Sequence, residues 1–407
     1  MTQSKILGVI EGFYGAPWSH ADRLACIDDM ASWGWNTYVW AAKLEPRHRE
    51  QWNEPFTDEE LECFAELSHR SSAVQVAVGL TPGDNASEQQ VINKLLPAIH
   101  AGCKVVVLCF DDLPVLHAAQ NHQALAHATV EAFGVPVWIV PTHYAGINAS
   151  DYLTALCTGL RDDIEVMWTG DTVVTDSITA SQSRERSRVT GGRLPLIWDN
   201  TPVNDARMRA HLHMGPLMGR DPELLSTCSG FLWNPMEEFA ASRPTLFSAA
   251  AWSRGENEFT AWERFVESHG IRALAEATAY RGDAHWPGDS PSHEWWQSVA
   301  DLTCDDPQLL PWVEAAQEGA RLALAALSVV NATEELSAKQ KNIVLFQLMG
   351  WGAHQSRIQK TFGAGPRTRP VATQDEAGRF VLLPASIEES FSLVDGLVRQ
   401  ALAILNG

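Results

Sequence analysis

Eight short apolar, β-rich runs recur along the chain up to about residue 253, at 6–10, 36–41, 74–80, 104–110, 135–141, 164–169, 194–198 and 230–233. Their starts lie 29 to 38 residues apart, close to one strand–helix–strand unit each, and a helical pattern of apolar positions follows each run. Runs such as KVVVLCF are apolar at nearly every position, as strands covered on both faces are. Alternating strands and helices predict a parallel sheet with right-handed crossovers, and eight units over about 250 residues predict an α/β fold closed into a (β/α)8 TIM barrel. An open doubly wound sheet is the alternative. Local signals agree with the phase. Ser19 stands three residues before Asp22, as in a capping box. Leu24, Ile27 and Ala31 form one apolar face, and Gly34 sits where a helix would stop.

Beyond Ser253 the rhythm changes. Apolar residues take helical spacing at Trp262, Phe265 and Val266, over 309–330, over 343–349, and from Phe391 through Val394, Leu397, Val398, Ala401, Leu402 and Leu405. Ser386 and Glu389 have capping-box spacing, and Gly- and Pro-rich stretches near 282–291 and 363–370 separate the helices. The expected organisation is a catalytic barrel over 1–253 and an all-α C-terminal domain over 254–407.

Barrels of this type hold their chemistry at the C-terminal ends of the strands. Here those ends carry Glu11 and Gly12, Lys43, Asp111 and Asp112, Tyr144, Trp168, Trp198 with Asn200, and Trp233 with Asn234. Carboxylates, amide and amine donors and flat aromatics suit a polyhydroxylated ligand, and 16 tryptophans is a high count. Large aromatics that merely plug the barrel mouth would produce the same list. The Asp111–Asp112 pair follows a fully apolar strand, where ionised carboxylates are costly unless paired. Either aspartate could simply cap the next helix. Two in succession, with Lys43 and two asparagines at neighbouring strand ends, favour catalysis. Glycosidases commonly flank the scissile bond with two carboxylates about 5–9.5 Å apart. Adjacent residues reach from the same wall of a pocket, which suits a substrate that brings its own nucleophile.

Charge and cysteine content narrow the partners. Thirty basic against fifty acidic residues give a net charge of −20, so neither nucleic acid nor an anionic membrane surface is expected as a partner. No apolar run approaches a membrane span. The opening MTQSKILGVIEGFYG shows no extended apolar core or cleavage site, which predicts a cytoplasmic protein. Seven scattered cysteines without a C-x-x-C indicate neither a disulfide framework nor a thiolate zinc site.

In order and approximate spacing, GVIEGFYGAPWSHADRL, NTYVWAAKLEPRHR, LCFDDL, PTHYAG, EVMWTGDTVV, PLIWDNTPVND and GFLWNP resemble glycoside hydrolase family 84, the β-N-acetylglucosaminidases that include the O-GlcNAcases. The resemblance covers about residues 6–252. It implies retaining hydrolysis of terminal β-linked N-acetylglucosamine, most simply from Ser or Thr of proteins, through an oxazoline formed by the substrate's own acetamido group. Asp111 then corresponds to the carboxylate that receives the acetamido N–H, and Asp112 to the general acid/base. Gly12, Lys43, Asn200, Asp205 and Asn234 correspond to groups holding the sugar hydroxyls and acetamide. Tyr144 corresponds to a tyrosine beside the forming oxazoline, and Trp198 to a wall of the sugar pocket. Two departures stand out: Leu44-Glu45 where acidic residues are common, and His143 where Glu is frequent. No cofactor or metal is implied, and a homodimer is compatible with the helical region. An exo-acting enzyme salvaging N-acetylglucosamine from glycan or cell-wall fragments, a binding module without turnover, and a metal hydrolase built on His211 and His213 are the competing readings.

Overall fold

The computed structural model describes residues 5–112, 118–279, 281, 284–356, 372–375, 378–382 and 393–406. Strands β1 (Ile6–Glu11), β2 (Thr37–Trp40), β3 (Gln75–Leu80), β4 (Val105–Cys109), β5 (Val137–Val140), β6 (Ile164–Trp168), β7 (Leu196–Asp199) and β8 (Gly230–Trp233) form a closed parallel barrel. The β1–β8 pairing, Ile6 opposite Gly230 through Val9 opposite Trp233, completes it. Each strand falls on one of the eight apolar runs, with β1 and β7 extending one residue past theirs, to Glu11 and Asp199. The first helix, His20–Trp33, is capped by Ser19, which accepts from the Asp22 amide, and stops at Gly34 in the left-handed region with φ 83°.

Alternation along each strand sorts side chains between two environments. In β4, Val105, Val107 and Cys109 fill the barrel interior, whereas Val106, Leu108 and Phe110 pack against the surrounding helices. Two tryptophans expected at the mouth belong to the helix-facing set: Trp168 and Trp233 are fully buried, and Trp233 stacks on Trp35 with ring centroids 4.6 Å apart. Glu11 also faces outward. Its Oε1 accepts from the Trp18 amide at 3.0 Å and from Arg23 at 2.8 Å, its Oε2 accepts from Arg23 Nε at 2.9 Å, and Tyr38 also donates to Oε2. Glu11 is therefore a fully satisfied structural carboxylate. Removing it strands Arg23 in the interior beside the remaining Glu45. Glu11→Ala is expected to lower unfolding free energy by about 3–5 kcal/mol in a denaturant titration.

The chain after Ser253, where the helix Phe239–Ser253 ends, is mainly helical. The long helix Leu310–Val330 packs against the last helix, Leu393–Asn406, and its Ala316, Ala320, Ala323 and Ala326 share one buried core with Val394, Val398 and Ala401. Their core is continuous with Leu212, Met214, Met236 and Ala241 of the barrel, and Trp262 Nε1 donates to the Met214 carbonyl at 2.6 Å. The second region thus packs against the loops that follow β7 and β8. It also contains an element that helical periodicity does not announce, an antiparallel hairpin of β9 (Ala372–Gln374) and β10 (Phe380–Leu382). The Ser386 and Glu389 capping spacing, the 363–370 stretch and Phe391 lie outside the described residues. Among the described residues no helix is long and apolar enough to cross a membrane.

Candidate active site

The interior-facing alternation continues past the strand ends. Ile10 leads to Gly12 and Tyr14, Val39 and Ala41 lead to Lys43, Cys109 to Asp111, Val140 to Tyr144, Leu196 to Trp198 and Asn200, and Leu232 to Asn234. These side chains converge on one cavity of about 560 Å³ at the C-terminal mouth of the barrel. All nine residues singled out in the sequence line it: Gly12, Lys43, Asp111, Asp112, Tyr144, Trp198, Asn200, Asp205 and Asn234. Of Trp168, Trp198 and Trp233, the tryptophans that the sequence placed at strand ends, only Trp198 does.

Polar contacts along the wall fix the side chains before any ligand arrives. The Gly12 amide donates to Asn234 Oδ1 at 3.1 Å, and Asn234 Nδ2 donates to Asn200 Oδ1 at 2.8 Å. Trp198 Nε1 shares that acceptor at 3.0 Å, while Asn200 Nδ2 donates to the Val173 carbonyl at 2.6 Å. The Tyr14 amide donates to Asp205 Oδ2 at 2.7 Å. Glycine is required at position 12 by space alone. A Cβ there would lie 2.3 Å from Trp198 Cζ2, so Gly12→Ala must displace the indole. The expected result is a kcat/KM reduced at least about tenfold, measured on an N-acetyl-β-glucosaminide, with the thermal transition retained.

The two aspartates occupy different electrostatic settings. Lys43 Nζ lies 2.6 Å from Asp111 Oδ2, both side chains being almost wholly buried. Burial alone would raise the Asp111 pKa, but the Lys43 ammonium, helped by Arg49, holds it below the usual carboxylate range. Its Oδ1 is buried on the cavity wall without a hydrogen-bond partner among the described residues. Asp112 is shifted the other way. Burial, and then the Asp111 charge, raise its pKa above the usual range despite phenolic donors from Tyr14 to Oδ2 at 2.6 Å and from Tyr144 to Oδ1 at 2.9 Å. Adjacent carboxyls whose environments push them apart are what an acid and an ionised partner need at one pH. Among the described residues neither aspartate caps a helix: the next described one begins at Ala119, with Ala118 before it and no side-chain cap.

Among the lining residues that sequence did not single out, Tyr14 and Arg49 bond directly to Asp112. Tyr14 lies two positions after Gly12 and could have been found by extending the strand alternation. Arg49, in a turn-rich stretch after β2, carries no such signal. The hairpin is a third addition. Val173 N donates to the Ala372 carbonyl at 2.9 Å, Ala145 N to Gln374 Oε1 at 3.1 Å, and Gln374 Nε2 to the Thr142 carbonyl at 2.8 Å. The hairpin thereby brings Ala372 and Phe380 to the cavity, with the Phe380 ring 6.4 Å from that of Tyr144.

The departures noted above lie outside the cavity lining. Leu44 is exposed, Glu45 pairs with Arg23 at 2.6 Å, and His143 bonds Ser150 Oγ through Nδ1 at 2.8 Å. His213 Nδ1 faces the Pro202 and Val203 carbonyls, at 3.1 and 2.8 Å.

The family model described as beta-N-acetylglucosaminidase matches residues 7–280. The chain is similar to the protein O-GlcNAcases of Rattus norvegicus and Mus musculus, 32% identical in each case over an alignment of 273 residues that covers 61% of this chain. The match spans 30% of the length of those relatives. Among solved structures, a mutant of the Thermobaculum terrenum O-GlcNAc hydrolase superposes with a TM-score of 0.74 at 22% identity, covering 97% of this chain and 94% of that one.

Proposed function

Because the chain belongs to the β-N-acetylglucosaminidase family of glycoside hydrolases, we propose that it removes terminal β-linked N-acetylglucosamine with retention of configuration, using the substrate's acetamido oxygen as nucleophile. The observation that carries this reading is the oppositely shifted carboxyl pair, with Asp111 Oδ1 free of hydrogen-bond partners among the described residues at the cavity wall and Asp112 raised beside it.

The acetamido N–H donates to Asp111, which stabilises positive charge developing on that nitrogen as the carbonyl oxygen closes on C1. Asp112 gives its proton to the glycosidic oxygen as the C1–O bond breaks, and the bicyclic oxazoline forms within the substrate. Asp112, now ionised, takes a proton from water as the water adds to C1, and the ring opens. Two inversions at C1 give retention. The step is intramolecular, so the pocket acts largely by holding a near-attack geometry. Trp198 supplies a flat wall, and Asn200, Asp205, Asn234 and Lys43 supply partners for sugar hydroxyls and the acetamide.

The rim favours a glycoprotein over a chito-oligosaccharide. Outside the residues just assigned, the lining includes Val173, Val174, Ala206, Met208, Ala372 and Phe380. A second sugar placed against these groups would leave hydroxyls unpaired, whereas apolar side chains flanking a modified Ser or Thr would be covered. We therefore favour O-linked N-acetylglucosamine on protein as the substrate, with salvage from glycan fragments as the alternative.

Turnover of an aryl N-acetyl-β-glucosaminide beside the aryl β-glucoside, repeated with the N-acyl group progressively fluorinated, tests the mechanism. Cleavage restricted to the N-acetyl sugar, falling steeply with each fluorine, is expected. Indifference to the acyl group would remove the internal nucleophile, and no cleavage at all would move the chain to the binding modules. Lys43 offers an independent check through pH. It lowers both carboxyl pKa values, so Lys43→Met is expected to shift the acid and alkaline limbs of the kcat/KM profile upward together.

A further inference from the structure

Asp112 is held in a backbone conformation that residues other than glycine rarely adopt, with φ at 56°. A strained residue persists only where its surroundings fix it, and the contacts that do so come from Arg49. Arg49 Nη2 donates to the Asp112 carbonyl at 3.0 Å, and Arg49 Nη1 donates to the Tyr14 hydroxyl at 2.8 Å. A guanidinium can only donate. The Tyr14 oxygen must therefore accept from Arg49, which directs its single hydroxyl hydrogen to Asp112 Oδ2 at 2.6 Å. One planar fork thus grips Asp112 twice, at its backbone and, through Tyr14, at its carboxyl. The guanidinium carbon also sits 5.7 Å from the centre of the Tyr14 ring, which restrains that ring further.

We infer that Arg49 is a positioning residue for the proton transfer made by Asp112, fixing both the strained backbone of that aspartate and the direction of the Tyr14 hydrogen bond to its carboxyl. The inference rests on the acid/base role proposed for Asp112 and adds a residue that sets its aim. Arg49 need not touch the reacting atoms. Loss of the fork lets the Asp112 carboxyl rotate and its peptide relax, and proton donation suffers while the Asp111 contact to the acetamide remains. The penalty should therefore depend on how much the leaving group needs a proton. A residue that merely supports the fold would lower the rate on every substrate alike.

The experiment compares kcat/KM on a serine-linked N-acetylglucosaminyl peptide with that on a 2,4-dinitrophenyl N-acetyl-β-glucosaminide for the wild type, Arg49→Met and Arg49→Lys. Arg49→Met is expected to lose about 10²-fold on the glycopeptide, the lower range of a general-acid contribution, and under about fivefold on the activated aryl glycoside. Arg49→Lys keeps the charge but not the two-pronged geometry. It is expected to show the same split, so the comparison survives if the methionine variant does not fold. Equal losses on both substrates, full rescue by lysine, or no loss would each overturn the proposal. A wild type that cleaves neither substrate would instead overturn the functional reading.

Discussion

Replacing Asp112 by Asn is expected to lower kcat/KM on a serine-linked glycopeptide by about 10³- to 10⁴-fold, the upper range of general acid catalysis, while a dinitrophenyl glycoside loses roughly tenfold or less. The physical basis is the setting of that carboxyl. Burial and the charge of Asp111 raise its pKa while that of Asp111 is lowered, which favours a proton on Asp112 over one on Asp111. The amide keeps shape and accepts the Tyr14 hydrogen bond but has no proton to give. A serine alkoxide cannot depart unprotonated, whereas a dinitrophenolate can. The second half-reaction also needs Asp112, as base, so kcat should fall on both substrates while kcat/KM separates them. Steady-state kinetics on the two substrates checks this, and identical losses in kcat/KM would remove Asp112 from the acid role.

Asp111→Asn is expected to behave differently: kcat/KM falls about 10²- to 10³-fold whatever the leaving group, the scale of one preorganised electrostatic contact to a developing charge. In the proposed mechanism Asp111 acts on the nucleophile, and every substrate uses the same nucleophile. The pH profile carries a second signature. The Asp111 charge contributes to raising the Asp112 pKa, and the activity proposed needs Asp112 protonated, so activity is lost as pH rises through that value. Removing the Asp111 charge lowers the Asp112 pKa, and the alkaline limb should move to lower pH. An unmoved or upward-shifted limb would contradict the coupling. The substitution also leaves the buried Lys43 ammonium without its counter-charge, which costs about 3–5 kcal/mol. Kinetics therefore belongs well below the transition temperature, with folding followed by circular dichroism.

Apart from Asp112, which follows Asp111 out of phase and reaches the cavity from a backbone with φ 56°, the residues that sequence placed at strand ends divide by parity. Asp111, Lys43, Trp198 and Asn234 continue the interior-facing series and reach the cavity, whereas Glu11, Trp168 and Trp233 lie one step out of phase and are covered by helices. Position at a strand end was legible, but the face was not used. Period-two alternation along each strand contained that information, and it would also have pointed to Tyr14. Arg49 was not legible, because its partners Tyr14 and the Asp112 carbonyl come from the ends of β1 and β4. The hairpin was equally hidden. Two three-residue strands give no periodicity to detect, and their role comes from bonds to Thr142, Ala145 and Val173, some two hundred residues earlier.

The sequence by itself determined the eight-unit rhythm, the helical second region and the residue types that a sugar-cleaving pocket needs, because local periodicity and burial on both faces of a parallel strand are written in short windows of chain. Tertiary structure decided the direction in which each carboxyl is shifted, Asp111 downward and Asp112 upward. The split depends on Lys43 lying 2.6 Å from Asp111, while burial and the Asp111 charge raise Asp112 against the hydrogen bonds it accepts from Tyr14 and Tyr144. Electrostatic energies in a buried site fall with distance and rise with desolvation. Both quantities exist only once strands distant in the sequence have closed into a barrel.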